Sequence, residues 1–222
     1  MNQRKSTFAV RLSAALAGLA ASAAALAVPV AETSPPPLLS GFQVDWVNVD
    51  VAPHSLADAA NAMAGTGGFT ILNSATQFLN TVDLSDTTVP FAGADPIFAV
   101  QVSGFIQLAA GNYQFAAYHD DGARLVIGGE TVIDFPTDTS PTTTLSSVYA
   151  LPAGVYSFSA LGWEQGGQFV FQLGTVASPG AAIDLSSGFH AAAVPEPGVA
   201  GMLAAGLALV GWVGARRRRP GA

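Results

Sequence analysis

The sequence predicts an all-β domain, a sandwich or barrel of short strands with one short helix, on three observations. First, β-branched and aromatic runs recur near Phe98 to Val102, Tyr113 to Tyr118, Arg124 to Ile127, Thr131 to Phe135, Leu145 to Ala150, Val155 to Trp163 and Gln168 to Thr175, separated by Gly, Pro, Asn or Asp. Short strands at that spacing belong to sandwiches and barrels. Second, Gly41 to Val49 alternates, with Phe42, Val44 and Trp46 falling on one side of a half-buried strand. Third, one stretch of the domain carries helix signals: Ser55 and Asp58 open an Ala-rich run to Ala64, and Gly65 and Gly67 stop it.

Taken in order, Met1 to Lys5 is a basic leader, and Phe8 to Ala27 is apolar and uncharged apart from Arg11. This is the pattern of a secretory signal peptide over residues 1–27, cut by signal peptidase after Ala25-Leu26-Ala27. Residues 28–40 hold Pro29, Pro35, Pro36 and Pro37, a composition that keeps a chain extended and predicts a Pro-rich linker. The domain then runs over residues 41–176, opening with the Phe42 strand and the helix, continuing with candidate strands at Thr70 to Leu72 and Thr81 to Leu84, and ending with the seven runs above. Within it, Leu108-Ala109-Ala110-Gly111-Asn112-Tyr113-Gln114-Phe115 is echoed by Leu151-Pro152-Ala153-Gly154-Val155-Tyr156-Ser157-Phe158. Two copies are too few for a repeat architecture and predict a shared way of entering a hairpin. A second linker, 177–193, leads to Val194-Pro195-Glu196-Pro197, an uncharged stretch from Gly198 to Ala215, and Arg216 to Arg219. About 18 helical residues at 1.5 Å each span about 27 Å, enough for a transmembrane helix. The arginines hold its end in the cytoplasm and leave the body outside.

Charge is uneven along the chain. Between Arg11 and Arg216, Arg124 is the one Lys or Arg, whereas all 15 acidic residues lie in that interval. Such a body repels phosphate backbones and excludes nucleic-acid binding, while suiting divalent cations. The chain has no cysteine, so disulfides, thiolate metal sites and thiol nucleophiles are excluded.

The densest chemistry lies in Tyr118-His119-Asp120-Asp121-Gly122-Ala123-Arg124-Leu125-Val126-Ile127-Gly128-Gly129. By local rules Asp-Gly between apolar runs is a hairpin turn, with glycine supplying a positive φ. The motif also resembles the core of the protective-antigen-type domain, the β-sandwich module shared with yeast flocculin adhesins. Phe98 to Leu108 is similar to that family's incoming strand pair, Tyr113 to Tyr118 to the strand before the motif, and Leu151 to Leu173 to its closing strands. The resemblance implies an antiparallel β-sandwich over Gly41 to Val176 and a non-catalytic carbohydrate-binding module. It implies that Asp120 and Asp121, joined by a cis peptide, hold a calcium ion that binds sugar hydroxyls. It also implies an amide oxygen from a neighbouring loop; the matching stretch, Trp163-Glu164-Gln165-Gly166-Gly167, offers Glu164 or Gln165. A turn without an ion is the plain alternative.

Other residues weigh toward structure. Trp163 is either a sugar-stacking platform or, as a Trp at a strand end more often is, a core residue. Arg124, among so many carboxylates, is expected to pair with one on the sheet surface. His54, His119 and His190 form no metal or hydrolase motif, and adjacent carboxylates are not a glycosidase pair, whose groups face a sugar from opposite sides. No enzyme is expected.

The end of the chain, with Pro195, Glu196 and Pro197, the apolar span and Arg216, Arg217, Arg218 and Arg219, resembles the PEP-CTERM sorting signal of Gram-negative bacteria that make extracellular polysaccharide. That implies an exosortase partner, transient residence in the inner membrane, and delivery to the cell surface or biofilm matrix after the tail is removed. Two functions follow as expectations. The first is an exported surface or biofilm-matrix protein with a calcium-dependent, polysaccharide-binding module; the other is a structural extracellular matrix protein that binds no sugar.

Overall fold

The computed structural model describes residues 27–92, 97–177, 183–184 and 188–191; the expected signal peptide over 1–27, apart from Ala27, the sorting motif at Pro195 to Pro197, the apolar span and Arg216 to Arg219 lie outside them. Among the described residues there are twelve strands and one helix: β1 (Leu38–Ser40), β2 (Phe42–Val49), α1 (Leu56–Ala64), β3 (Ile71–Leu79), β4 (Val82–Ser85), β5 (Phe98–Leu108), β6 (Gly111–Asp120), β7 (Ala123–Ile127), β8 (Glu130–Phe135), β9 (Thr142–Leu151), β10 (Gly154–Glu164), β11 (Val170–Val176) and β12 (Phe189–Ala191). They form two antiparallel sheets, an eight-stranded one ordered β1-β12-β5-β10-β7-β8 with β2 and β3 joined through β5, and a four-stranded one ordered β4-β11-β6-β9. The expected antiparallel sandwich with one short helix is what the chain forms.

Alternation builds the core between the sheets. Phe42, Val44 and Trp46 of β2 are buried as expected, and Trp46, Phe98 and Phe169 meet edge to face, with Trp46 and Phe98 centroids 5.4 Å apart and Phe98 and Phe169 4.8 Å apart. The Trp46 indole N–H donates to Gln77 Oε1 at 3.1 Å. Helix α1 covers the opposite face of the large sheet, with Leu56, Ala59 and Ala62 packed on Val47, Val49, Ala99, Leu161 and Trp163. Its first turn is closed by Ser55 Oγ, which accepts the Asp58 N–H at 3.1 Å, and Gly65 caps its end. Covered on both faces there, β10 loses its alternation and is buried continuously from Ala160 to Glu164.

Several boundaries move for identifiable reasons. The candidate strand at Thr70 to Leu72 extends to Leu79, because β3 is held by pairing to β2 along its length. The stretch Phe98 to Leu108, implied to be a strand pair, is one continuous strand, since β10 pairs with it from Glu164↔Phe98 to Gly154↔Leu108. Part of the Pro-rich stretch and part of the stretch after Val176 join the sandwich: β1 pairs with β12, Val30 N–H donates to Gly128 O at 3.1 Å, and Glu32 N–H donates to Val155 O at 2.7 Å. Proline fixes an extended backbone without removing the donors of its neighbours, so the segment lies along a sheet rather than standing off it.

The internal echo has a different meaning from a hairpin entry. Each copy carries the chain from one sheet to the other, β5 to β6 and β9 to β10. Each is locked by a tyrosine whose hydroxyl donates four residues back, Tyr113 to Ala109 O at 2.9 Å and Tyr156 to Pro152 O at 2.7 Å. These are tyrosine corners, and they face each other through the pairs Gly154↔Leu108 and Gly111↔Leu151.

Candidate functional site

The Asp-Asp-Gly step is a third crossing between sheets, not a hairpin. Asp120 ends β6 opposite Val170 in the small sheet, and Ala123 begins β7 opposite Gly162 in the large one. The hairpin lies just beyond, at Gly128-Gly129 between β7 and β8, where φ is 53° and 81°; positive φ at both central positions is what a tight two-residue hairpin demands. Gly122 answers a different need: a Cβ there would run into the Trp163 ring and come within 2.7 Å of Phe135 O. The flanking strands must present Phe115 and Ala117 on one side and Ala123, Leu125 and Ile127 on the other to one shared core. Only a close-packed corner achieves that.

The peptide between Asp120 and Asp121 is cis, as the family resemblance implied. Asp120, Asp121 and Glu164 bring one carboxylate oxygen each within 4.8 Å of one another. Asp121 is 2% exposed. Its Oδ2 accepts the Gln165 N–H at 2.9 Å, its Oδ1 accepts the Thr139 N–H at 3.2 Å, and its own N–H donates to Trp163 O at 3.0 Å. His119 braces the corner from below, donating through Nδ1 to Asp121 O at 2.6 Å, which leaves Nε2 to accept the Thr144 hydroxyl at 2.9 Å. Burial lowers its pKa, so it is a neutral polar strand residue here.

Glu164, also 2% exposed, accepts the Gly166 N–H at 2.7 Å through Oε1, and its Oε2 has no hydrogen-bond partner. Burial pushes its carboxyl up to about 8, against the Gly166 bond and with help from the charges of Asp121, Asp120 and Asp86. Asp120 is pushed up to about 6 by burial and by Asp121 and Asp86. Asp121 is raised by burial, partly offset by its bonds from Gln165 and Thr139.

Above it opens a polar groove of about 480 Å³, walled by Asp120, Asp121, Asp138, Thr139, Gln165 and the Gly166-Gly167 turn. Gln165 lines the groove. Glu164 and Trp163 are not groove residues: Glu164 points into the carboxylate cluster beneath, and Trp163 is fully buried against Gly122 and donates its indole N–H to Asp138 Oδ1 at 3.0 Å. Trp163 is therefore a core residue and offers no stacking face, because α1 and the Gly122 corner enclose it. Arg124 pairs with Asp134 across β7 and β8, Nε to Oδ1 3.0 Å, on the exposed sheet surface.

The sequence missed the other wall. Asp138 and Thr139 sit in the β8–β9 connection, held by Trp163, by His54 Nδ1 at 2.7 Å from Asp138 Oδ2, and by a bridge between Ser55 and Thr137. Pro136 and Pro141 bracket this connection and mark a loop, but nothing local aims it at Asp121.

The fold is thus a two-sheet antiparallel sandwich joined by tyrosine corners, with an acidic cluster under a polar groove. Residues 61–159 match the model of the PA14 domain, and residues 193–219 match the PEP-CTERM protein-sorting motif. The chain carries both. Among solved structures it is similar to the PA14 domain of the MpAFP antifreeze protein, at 19% identity and TM-score 0.56, covering 74% of this chain and 98% of that one. It is also similar to the PA14 sugar-binding domain from an RTX adhesin, at 21% identity and TM-score 0.52, covering 68% and 99%. A third is the A domain of Epithelial Adhesin 9 from Candida glabrata, in complex with Galb1-4GlcNAc, at 12% identity and TM-score 0.54, covering 78% and 99%. These likenesses establish the fold. No curated protein matches the chain.

Proposed function

We propose that this protein is exported to the cell surface and binds carbohydrate, without catalysis, through a calcium ion held at the Asp120–Asp121 corner. The observation that carries this reading is the cluster of three carboxylate oxygens within 4.8 Å of one another at the base of a polar groove. The donor set fits the ion: hard oxygens, with carboxylates supplying charge and an amide supplying a neutral ligand. The buried Glu164 Oε2 without a partner is what a cation would satisfy. Asp120 and Asp121 would hold the ion, and Gln165, whose Nε2 donates to Asp121 Oδ1 at 3.4 Å, would add its side-chain oxygen by turning the amide over; the bound ion would supply ligation for vicinal sugar hydroxyls. Thr139, Asp138 and the backbone around Gly166 orient the rest of the sugar by hydrogen bonds.

The PA14 fold shared with a sugar-binding adhesin domain and a lactosamine-bound adhesin supports the carbohydrate class. The PEP-CTERM match supports export and handling by an exosortase, with the bacterial surface or biofilm polysaccharide as the setting. A purely structural matrix role has one observation in its favour: Trp163, the one aromatic weighed as a stacking platform, is buried. A glycan array read with calcium and with chelator decides between them. Binding that chelator abolishes supports the first reading; absence of any binding in calcium supports the structural one.

A further inference from the structure

A buried carboxylate oxygen without a hydrogen-bond partner is one that a cation would satisfy, and the described residues offer none. Among the described residues Arg124 is engaged by Asp134 on the surface, both nitrogens of His119 are taken by Asp121 O and Thr144, and His54 pairs with Asp138. Glu164 Oε2 is therefore buried without a hydrogen-bond partner, on a carboxyl group that contributes one oxygen to the acidic cluster. Two oxygens on one calcium at about 2.4 Å are at most about 4.8 Å apart, whereas on magnesium at about 2.05 Å the limit is about 4.1 Å. The three oxygens, all within 4.8 Å of one another, are close enough for one calcium to draw them together.

We propose that Glu164 is a direct ligand of the ion through Oε2, making a three-carboxylate site, and that its Oε1 bond to the Gly166 N–H couples the ion to the Gly166-Gly167 wall of the groove. This rests on the calcium reading above. Three carboxylates give the site a formal charge of −3, so a trivalent ion neutralises it where calcium leaves −1. Glu164 thus sets both the affinity and the preference for higher charge, a task distinct from that of the Gln165 amide. Ordering of the sugar-facing wall also becomes dependent on the ion, because one side chain spans both.

The test uses terbium as a calcium probe, its luminescence sensitised by Trp163, whose carbonyl accepts the Asp121 N–H. Luminescence lifetimes in light and heavy water count the coordinated waters. The purified protein should give one sensitised site that calcium competes away. Glu164→Gln should weaken terbium by at least about tenfold, weaken calcium by less, and admit about one additional water. Glu164→Asp keeps the charge but withdraws the oxygen, and should also admit a water. Melting curves in chelator show that both variants are folded. Should either misfold, a calcium-soaked crystal of the unmodified protein answers instead, with Oε2 expected at about 2.4 Å from the ion. Unchanged affinity and water count in both variants, with Asp120→Asn/Asp121→Asn still abolishing the signal, would overturn the Glu164 assignment and leave the calcium reading standing. No sensitised site in the unmodified protein would overturn both.

Discussion

At Gly122 a single hydrogen decides the corner, since the position where a Cβ would go is occupied by the Trp163 ring and bounded by Phe135 O. Gly122→Ala should cost about 1–3 kcal/mol in denaturant unfolding, the usual range for overpacking. Gly122→Asn, which an Asp-Gly hairpin would accept, should cost more than Ala. Equal stability of the Asn variant and the parent would return the motif to a turn. The same small volume sets the acid chemistry beside it. Glu164 at about 8 and Asp120 at about 6 lie above their ordinary values of 4.5 and 3.8. Between those limits the folded state binds more protons than the unfolded one, so the stabilisation present below the ordinary values is lost as pH rises through the folded ones. His54, raised chiefly by Asp138, also favours the acid side, whereas His119, held neutral by burial, loses stability as pH falls below its ordinary 6.5. In chelator, Tm should therefore fall between pH 7 and pH 9, and Glu164→Gln should flatten most of that slope. A Tm that climbs over this interval would contradict the assignment.

At the scale of elements, the two tyrosine corners are separable. Tyr156 is fully buried and its hydroxyl satisfies Pro152 O, while the Tyr113 bond to Ala109 O is exposed. Tyr156→Phe should lower stability by about 1 kcal/mol, because a part-buried hydrogen bond is lost. Tyr113→Phe should cost clearly less, since water replaces the hydroxyl there. Urea unfolding of the two variants measures both, and a reversed order would mean that the corners bear load differently from their burial. The echo between these segments is plain in the sequence; that both change sheets is not, because Leu108 and Leu151 are met by strands distant in the chain. Helix α1 was legible for the opposite reason: Ser55, Asp58 and Gly65 act on their own neighbours within a few residues.

For the whole molecule, ion, charge and address come together. An ion that binds only the folded chain stabilises it by about 2.7 kcal/mol at 100 times its Kd, so calcium should raise Tm clearly. Magnesium, with its shorter bonds and reluctance to shed water, should do less at equal concentration. Asp120→Asn/Asp121→Asn should remove most of the calcium effect and leave the far-ultraviolet strand signal intact. A full shift in that double variant would place the ion elsewhere on the acidic surface. Processing is checked by intact mass of the exported protein, whose chain should begin near Val28 and lack the tail after Pro197. Recovery of Arg219 in exported protein would contradict removal by an exosortase.

The sequence by itself determined whatever is written in contiguous residues: the alternation of β2, the caps of α1, the adjacent Asp120 and Asp121, the acidic balance, and the sorting motif at Pro195 to Pro197. Only the tertiary structure decided which sheet each strand joins, that Asp120-Asp121-Gly122 is a corner while Gly128-Gly129 is the hairpin, and that Asp138 and Thr139 face Asp121. It also buried Trp163 and left one oxygen of Glu164 without a donor. The reason is physical. Local signals act through backbone preferences over a few residues, whereas burial, and with it the meaning of a carboxylate or an indole, is set by segments far away in the chain.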